Sequence, residues 1–443
     1  MIFRHAYRLI YRQSWVSRRC HAGARGGRNE YAFEMSNSTV RFGLGATAEV
    51  GEDLQIYGAR RTLVLTDRNV ANTVAFTSVA DSLRAHELDF DVYDGVRVEP
   101  TDVSVRDAIN TATIGPHKYD AFVAVGGGST IDTAKCVALM AANKDSDLYE
   151  YASAPLGREG HPKHQMLPLI AVPTTAGTGS ETTCTAIFTH QEKRVKSGIR
   201  HRYLKPHLAI IDPLNVMSMP RHVAIYSGFD VLCHALESYT AKSFSGRLAS
   251  NGPKRRPVYQ GSNPISDVWC EQAISISSRH FVRSVDDPED LTARANMMLA
   301  ACYAGVGFGN AGTHLPHGLS YPLSGQVRQY TSPDYNNDKH GLIPHGLSVV
   351  LTAPAVFEFT GAGTPERHLR AAELLGAGDV SRHALADAGV VVSDLMRQLM
   401  STLKVPNGLK AVEFEGASDM KHLATIAAMQ QGSMSLSPVT PTV

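Results

Sequence analysis

The stretch Ala121-Phe-Val-Ala-Val-Gly126-Gly127-Gly128-Ser129-Thr130-Ile131-Asp132-Thr133-Ala134-Lys135 decides how this chain folds. Its first half is an unbroken apolar run, the pattern of a strand buried on both faces, and it passes through three glycines into residues with helical spacing. At such a turn the unpaired N–H groups and the positive end of the helix face one spot. Glycines let that backbone approach a pyrophosphate closely. The spacing is not G-x-G-x-x-G, and a Gly-rich turn also serves as a tight strand-to-helix connection. The strand before it and the helix after it favour phosphate binding.

Working outward, Arg61 to Asp67 is predicted as a buried strand, Val70 to Leu88 as a helix, Phe90 to Tyr93 as a strand and Val103 to Ile114 as a helix. After the glycines come a helix over Thr130 to Ala142 and further strands at Leu169-Ile-Ala-Val172 and Leu208-Ala-Ile-Ile211. This alternation predicts an α/β unit with a parallel sheet covered by helices. A second loop, Val172-Pro173-Thr174-Thr175-Ala176-Gly177-Thr178-Gly179-Ser180-Glu181, follows another apolar strand and is expected at the same sheet edge as Gly126. Its hydroxyls suit ribose and phosphate oxygens. Asp67, closing the first strand, could bond a ribose hydroxyl and repel a 2′-phosphate, which favours NAD over NADP.

Beyond Asp212-Pro213 the strand-like runs stop and the segments read as helices separated by Gly/Pro loops. Ser227-Gly-Phe-Asp230-Val-Leu-Cys-His234-Ala-Leu-Glu237-Ser-Tyr239 is one of them. Asp230 and His234 fall at i and i+4 and project from one face. His314, His317 and His345, in Gly312-Thr-His-Leu-Pro-His-Gly318 and Pro344-His-Gly346, supply more imidazoles. One carboxylate and two or three histidines could close around a divalent metal, with His314 and His317 in competition for one position.

The remaining composition is that of an ordinary globular protein: 43% hydrophobic and 19% charged residues over 443 positions, long enough for two domains. With 43 basic against 42 acidic residues there is no global field for nucleic acid or an anionic membrane. The six cysteines are scattered singly, which fits a reducing compartment, and no apolar run is long enough to span a membrane. At the N-terminus Arg4, Arg8, Arg12, Arg18, Arg19, Arg25 and Arg28 all precede the first acidic residue, Glu30. Such an amphipathic, acid-free leader is expected to be a mitochondrial transit peptide over residues 1–30, directing the protein to the matrix.

The glycine turn, Pro173-Thr-Thr-Ala-Gly-Thr-Gly-Ser-Glu181, Asp230-x-x-x-His234, His317-Gly318 and Pro344-His345-Gly346, in this order, resemble the iron-containing (group III) alcohol dehydrogenase family. Tyr31-Ala-Phe-Glu-Met35, Val98-Glu-Pro-Thr-Asp102, Tyr259-Gln-Gly-Ser-Asn-Pro-Ile-Ser-Asp267 and Gly309-Asn-Ala-Gly312 look like a mitochondrial branch of it that passes hydride between hydroxy acids and oxo acids. The resemblance implies an α/β dinucleotide-binding domain over 31–214 and an all-α metal-binding and substrate domain over 215–443, with a cleft between them. By motif matching, Asp230, His234, His317 and His345 are the metal ligands. Gly126, Gly127, Gly128, Ser129, Asp132, Thr174, Thr175, Asp67 and Lys196 face the cofactor.

The cofactors so implied are NAD and a divalent metal, iron in the first place, with zinc also suited to a mixed N/O set. The implied reaction oxidises 4-hydroxybutyrate to succinate semialdehyde and reduces 2-oxoglutarate to 2-hydroxyglutarate through bound NAD, in a homodimer. Tyr321 stands where many relatives carry a further histidine beside the nicotinamide, and is the candidate proton shuttle. Lys254, Arg255 and Arg256, in the Ser/Gly/Pro/Arg-rich insertion 242–263, are candidate partners for substrate carboxylates. The stretch from about Met420 onward looks unlike the last helices of the family, which would leave the helical domain altered and the enzyme inactive. Competing readings are an ordinary NAD-dependent iron alcohol dehydrogenase, a lyase of the dehydroquinate-synthase type and a non-enzymatic cofactor-binding protein.

Overall fold

The computed structural model describes residues 29–335 and 341–442, so the Arg-rich leader lies outside the described residues. Its first half is built on a six-stranded parallel sheet ordered β1-β8-β5-β4-β2-β3. The strands are β1 (Thr39–Phe42), β2 (Arg61–Leu65), β3 (Asp89–Tyr93), β4 (Ala121–Gly126), β5 (Leu169–Pro173) and β8 (Leu208–Ile211). Every position of β4 and β5 is buried, as expected for runs covered on both faces. Helices α1 (Val50–Ile56), α2 (Val74–Ala85), α3 (Asp102–Thr113), α4 (Gly128–Ala142) and the single turn α5 (Leu148–Tyr151) connect and cover them.

The connections step outward from β2 to β3, then return past β2 to β4 and continue to β5, so the direction of winding reverses between β2 and β4. Ligands of open α/β sheets bind at such a switch point, beyond the carboxyl ends of the strands. Asp67, the three glycines and the Thr174 loop all leave the sheet there, and Gly126 pairs in register with Pro173.

Two features escape the apolar-run reading. β1 is an edge strand, mostly exposed, that pairs in parallel with β8 from Thr39↔Leu208 to Phe42↔Ile211. An antiparallel hairpin of β6 (Thr185–His190) and β7 (Val195–Arg200) is neither a continuous apolar run nor a regular alternation. Lys135 of α4 anchors its start, donating to the Thr185 carbonyl at 2.7 Å and to the Ser180 and Thr183 hydroxyls just before it.

Among the described residues from Arg221 onward the named elements are helices: α6 (Arg221–Thr240), α7 (Pro264–Asp286), α8 (Leu291–Ala311), α9 (Leu315–Gly325), α10 (His345–Val350), α11 (Ala353–Thr360), α12 (Pro365–Leu374), α13 (Ala388–Thr402), α14 (Gly416–Ala427) and α15 (Gln431–Met434). α6 is buried along nearly its whole second half and forms the centre of the helical core with α7 and α8. Among the described residues no helix is long and apolar enough to cross a membrane.

The tail packs against the helical half. Leu423, Ala427 and Leu436 are buried, and Leu436 accepts a backbone bond from Lys242 at 2.8 Å. A Cβ on Gly318 would meet Met434 Sδ at 3.0 Å, so the short Gln/Gly/Ser/Met turn packs directly on α9. Leu423, Ala427 and Leu436 face the core, while Met420 and Met429 are exposed.

Candidate metal and dinucleotide site

Helix periodicity places Asp230 and His234 on one stripe of α6, His317 arrives on the first turn of α9, and His345 opens α10. One ligand atom from each of the four lies within 4.8 Å of all the others. Asp230 Oδ1 stands 3.7 Å from His234 Nδ1, 3.4 Å from His317 Nε2 and 3.5 Å from His345 Nε2. Asp230 Oδ1, His234 Nδ1 and His317 Nε2 are buried without hydrogen-bond partners. Buried polar atoms are nearly always satisfied, so lone pairs converging on one point fit a cation as the shared partner.

Electrostatics agree. Burial alone would raise the Asp230 carboxyl, yet the surrounding imidazoles hold it well below the ordinary carboxylate range. Burial lowers His234 and His345 to about 3, which leaves both rings neutral, the form in which an imidazole can bind a metal. Burial also opposes charge on His317, but Glu237 and Asp230 outweigh it and lift the ring to about 9. A proton held there is the one a divalent cation displaces.

Glu237 was not singled out from the sequence, although it lies seven residues after Asp230 and three after His234, on the same helical stripe. It is fully buried. Its Oε1 lies 2.6 Å from His317 Nδ1, and its Oε2 accepts the backbone N–H groups of His314 and His317 at 2.8 and 3.3 Å. His314 itself turns away from the cluster: its Nδ1 accepts from Leu315 N–H and its Nε2 pairs with the Thr240 hydroxyl at 3.0 Å. Phe308 stacks on His234 at 3.9 Å and closes one side.

Two cavities meet at the cluster. The larger, about 400 Å³, is lined by Asp67, Gly127, Gly128, Ser129, Thr174, Thr175, Thr178, Asp230 and His345, among others. α4 begins at its floor: Gly128 passes so close to Thr178 that a Cβ would lie 2.5 Å from Thr178 Cγ2. Asp67 also accepts Asn69 and Val70 N–H groups at 2.9 and 3.1 Å, so it is at once a turn residue and a cavity residue. The smaller cavity, about 100 Å³, takes in Gly128, Ser129, Asp132, Lys196, His234, Tyr259, His317, Tyr321 and His345.

The remaining candidates separate. Gly126 lines neither cavity; its carbonyl accepts Thr174 N–H at 3.1 Å and ties the two loops together. Asp132 lines the smaller cavity and accepts Ser180 Oγ–H and Ile187 N–H. Lys196 lines it too, paired with Glu99 at 2.5 Å. Lys254, Arg255 and Arg256 line neither cavity, and Arg256 pairs with Glu30 and Glu34 instead. The insertion contributes Tyr259 to the smaller cavity, not one of its basic residues.

Family models describe both halves of the chain. One for iron-containing alcohol dehydrogenases matches residues 37–213, and one for the C-terminal part of the Fe-containing alcohol dehydrogenase family matches 258–442, including the tail. A hydroxyacid-oxoacid transhydrogenase, mitochondrial, from Caenorhabditis briggsae is 52% identical over 92% of this chain and 87% of its own length. The protein of that name from Homo sapiens is 49% identical over 94% of this chain and 87% of its own. A crystallised 1,3-propanediol oxidoreductase superposes with a TM-score of 0.79 at 27% identity, covering 93% of this chain and 97% of its own.

Proposed function

Because the chain belongs to the iron-containing alcohol dehydrogenase family, we propose that it is a hydroxyacid-oxoacid transhydrogenase, passing hydride from a hydroxy acid to an oxo acid through NAD. The observation that carries this reading is the junction of the two cavities: His345 lines both, as do Gly128 and Ser129, so a nicotinamide and a small substrate would meet beside the Asp/His cluster.

The residues divide the work. Asp67 would bond a ribose hydroxyl, and the N–H groups at the start of α4 would face the pyrophosphate with the helix dipole behind them. Thr174 and Thr175 supply hydroxyls along the same wall. Asp230, His234, His317 and His345 would hold a divalent cation, iron by family, which supplies Lewis-acid polarisation of a substrate oxygen. Phe308 and the packed helices exclude water from that point. Tyr321 is 5% exposed and burial raises its phenol, so it keeps its proton at neutral pH and acts as a hydrogen-bond donor to the substrate rather than a resting base.

The substrate pair proposed is 4-hydroxybutyrate and 2-oxoglutarate, yielding succinate semialdehyde and 2-hydroxyglutarate, and the site of action proposed is the mitochondrial matrix. The Arg-rich leader and the names of the relatives support the latter. Iron-loaded protein incubated with both acids and no added NAD is expected to form both products. Product only when NAD is added would make it an ordinary dehydrogenase, and no product in either case would overturn the assignment.

A further inference from the structure

A half-buried cation beside the smaller cavity has no anion. Arg200 ends β7, and its guanidinium carbon lies 5.3 Å from the centre of the Tyr259 ring, with the Tyr321 phenol also in its field. Among the described residues no carboxylate pairs with it. Its guanidinium bonds the Tyr259 and Tyr321 phenols and makes a long contact, 3.5 Å, to Ser153 Oγ, while its Nε has no partner. Lys196, four residues earlier and therefore on the same face of the strand, is already matched by Glu99. A partly desolvated charge held only by neutral hydroxyls still lacks a counter-ion, so a guanidinium in this position fits an anion that arrives from outside the chain.

The cavity wall beside Arg200 is built for the same guest. Thr185, its direct cross-strand partner, lines the cavity with its hydroxyl beside the Tyr259 phenol. Tyr259 and Tyr321 line it with phenols that burial keeps protonated, Tyr259 being pushed up to about 12. Three hydroxyls backed by a cation, in the space that also touches His317 and His345, match a carboxylate carried a few atoms from the reacting carbon.

We propose that Arg200, acting through the Tyr259 and Tyr321 phenols, makes the smaller cavity a subsite for the carboxylate of the hydroxy or oxo acid and selects acids over neutral alcohols. Arg200 is a positioning residue in this arrangement; the hydroxyls touch the substrate. The inference names the substrate class of the site and rests on the hydride-transfer reading above.

The test compares 4-hydroxybutyrate with 1,4-butanediol, the neutral molecule of the same chain length, on the metal-loaded full chain. In Arg200→Met the ratio of kcat/KM for acid over diol is expected to fall at least about tenfold, mainly through KM for the acid, with partial recovery in Arg200→Lys and a fall in Tyr259→Phe. An unchanged ratio in Arg200→Met and Tyr259→Phe overturns the proposal. If the methionine variant does not fold, the lysine and phenylalanine variants decide it by the same ratio. Calorimetric titration with 2-oxoglutarate separates this proposal from the reaction itself. Weaker binding in the variants than in wild type supports the subsite even without turnover, and equal binding overturns it even in an active enzyme.

Discussion

Glu237 Oε1 sits 2.6 Å from Nδ1 of His317, in a fully buried position, and so assigns Nδ1 of that ring as the donor and leaves Nε2 for the cluster around Asp230. Carboxylates that hold a ligating histidine in this way set both its tautomer and its orientation. Glu237→Gln is expected to weaken divalent metal binding by about 10–100-fold. Competition with a metallochromic chelator reads this directly, whatever the activity; an unchanged metal affinity would show that the bond is only structural.

A second prediction concerns the approach of α10 to α6. A Cβ built on Gly346 would lie 1.9 Å from the Tyr226 carbonyl oxygen and 3.3 Å from Asp230 Cβ. Nothing there is a flexible side-chain end, so Gly346→Ala has to push α10 away and carry His345 with it. Overpacking of this kind costs about 1–3 kcal/mol. Thermal unfolding should show a lower Tm, and the metal-to-protein ratio after gel filtration should fall below that of wild type.

Asp67 gives a third. Its carboxylate faces the larger cavity while capping the turn at Asn69 and Val70. Asp67→Ala is expected to weaken NAD binding about tenfold, equivalent to about 1.4 kcal/mol, and to narrow the gap to NADP because the charge that repels a 2′-phosphate is gone. Fluorescence titration with both reduced cofactors measures the two affinities; a variant that keeps the wild-type ratio between them would remove Asp67 from cofactor selection.

The fourth is a pH dependence remote from the metal cluster. His368 is fully buried in α12, where Nδ1–H donates to the Thr364 carbonyl at 2.9 Å and Nε2 accepts from the Thr360 hydroxyl. Burial, with Arg367 nearby, lowers it from 6.5 to about 4; His314 faces it as well. The unfolded chain therefore binds a proton that the folded one refuses between pH 6.5 and 4, and stability falls as the pH drops through that window. The loss attributable to this ring is up to about 3 kcal/mol at the acid end. In denaturant titrations across this window, His368→Gln should flatten the pH slope relative to wild type, and an equal slope would place the acid sensitivity elsewhere.

The parallel sheet was legible because its central strands are continuous apolar runs, and the glycine turn because strand, turn and helix are consecutive in the chain. β6 and β7 were not, since neither is a continuous apolar run nor a regular alternation of polar and apolar residues. Asp230 and His234 were legible as a pair, and Glu237 could have been added from its place on the same stripe. Arg200 carried no local signal: its neighbours Tyr259 and Tyr321 come from two distant segments of the helical half.

By itself the amino-acid sequence determined which side chains share a face within one element, because the 3.6-residue turn of a helix and the two-residue repeat of a strand are local properties of the backbone. Only the tertiary structure decided that His317 and not His314 turns toward Asp230, that Arg256 is taken by Glu30 and Glu34, and that Arg200 is left without an anion beside the smaller cavity. Those outcomes depend on distances between elements far apart in the chain, and such distances are set by packing.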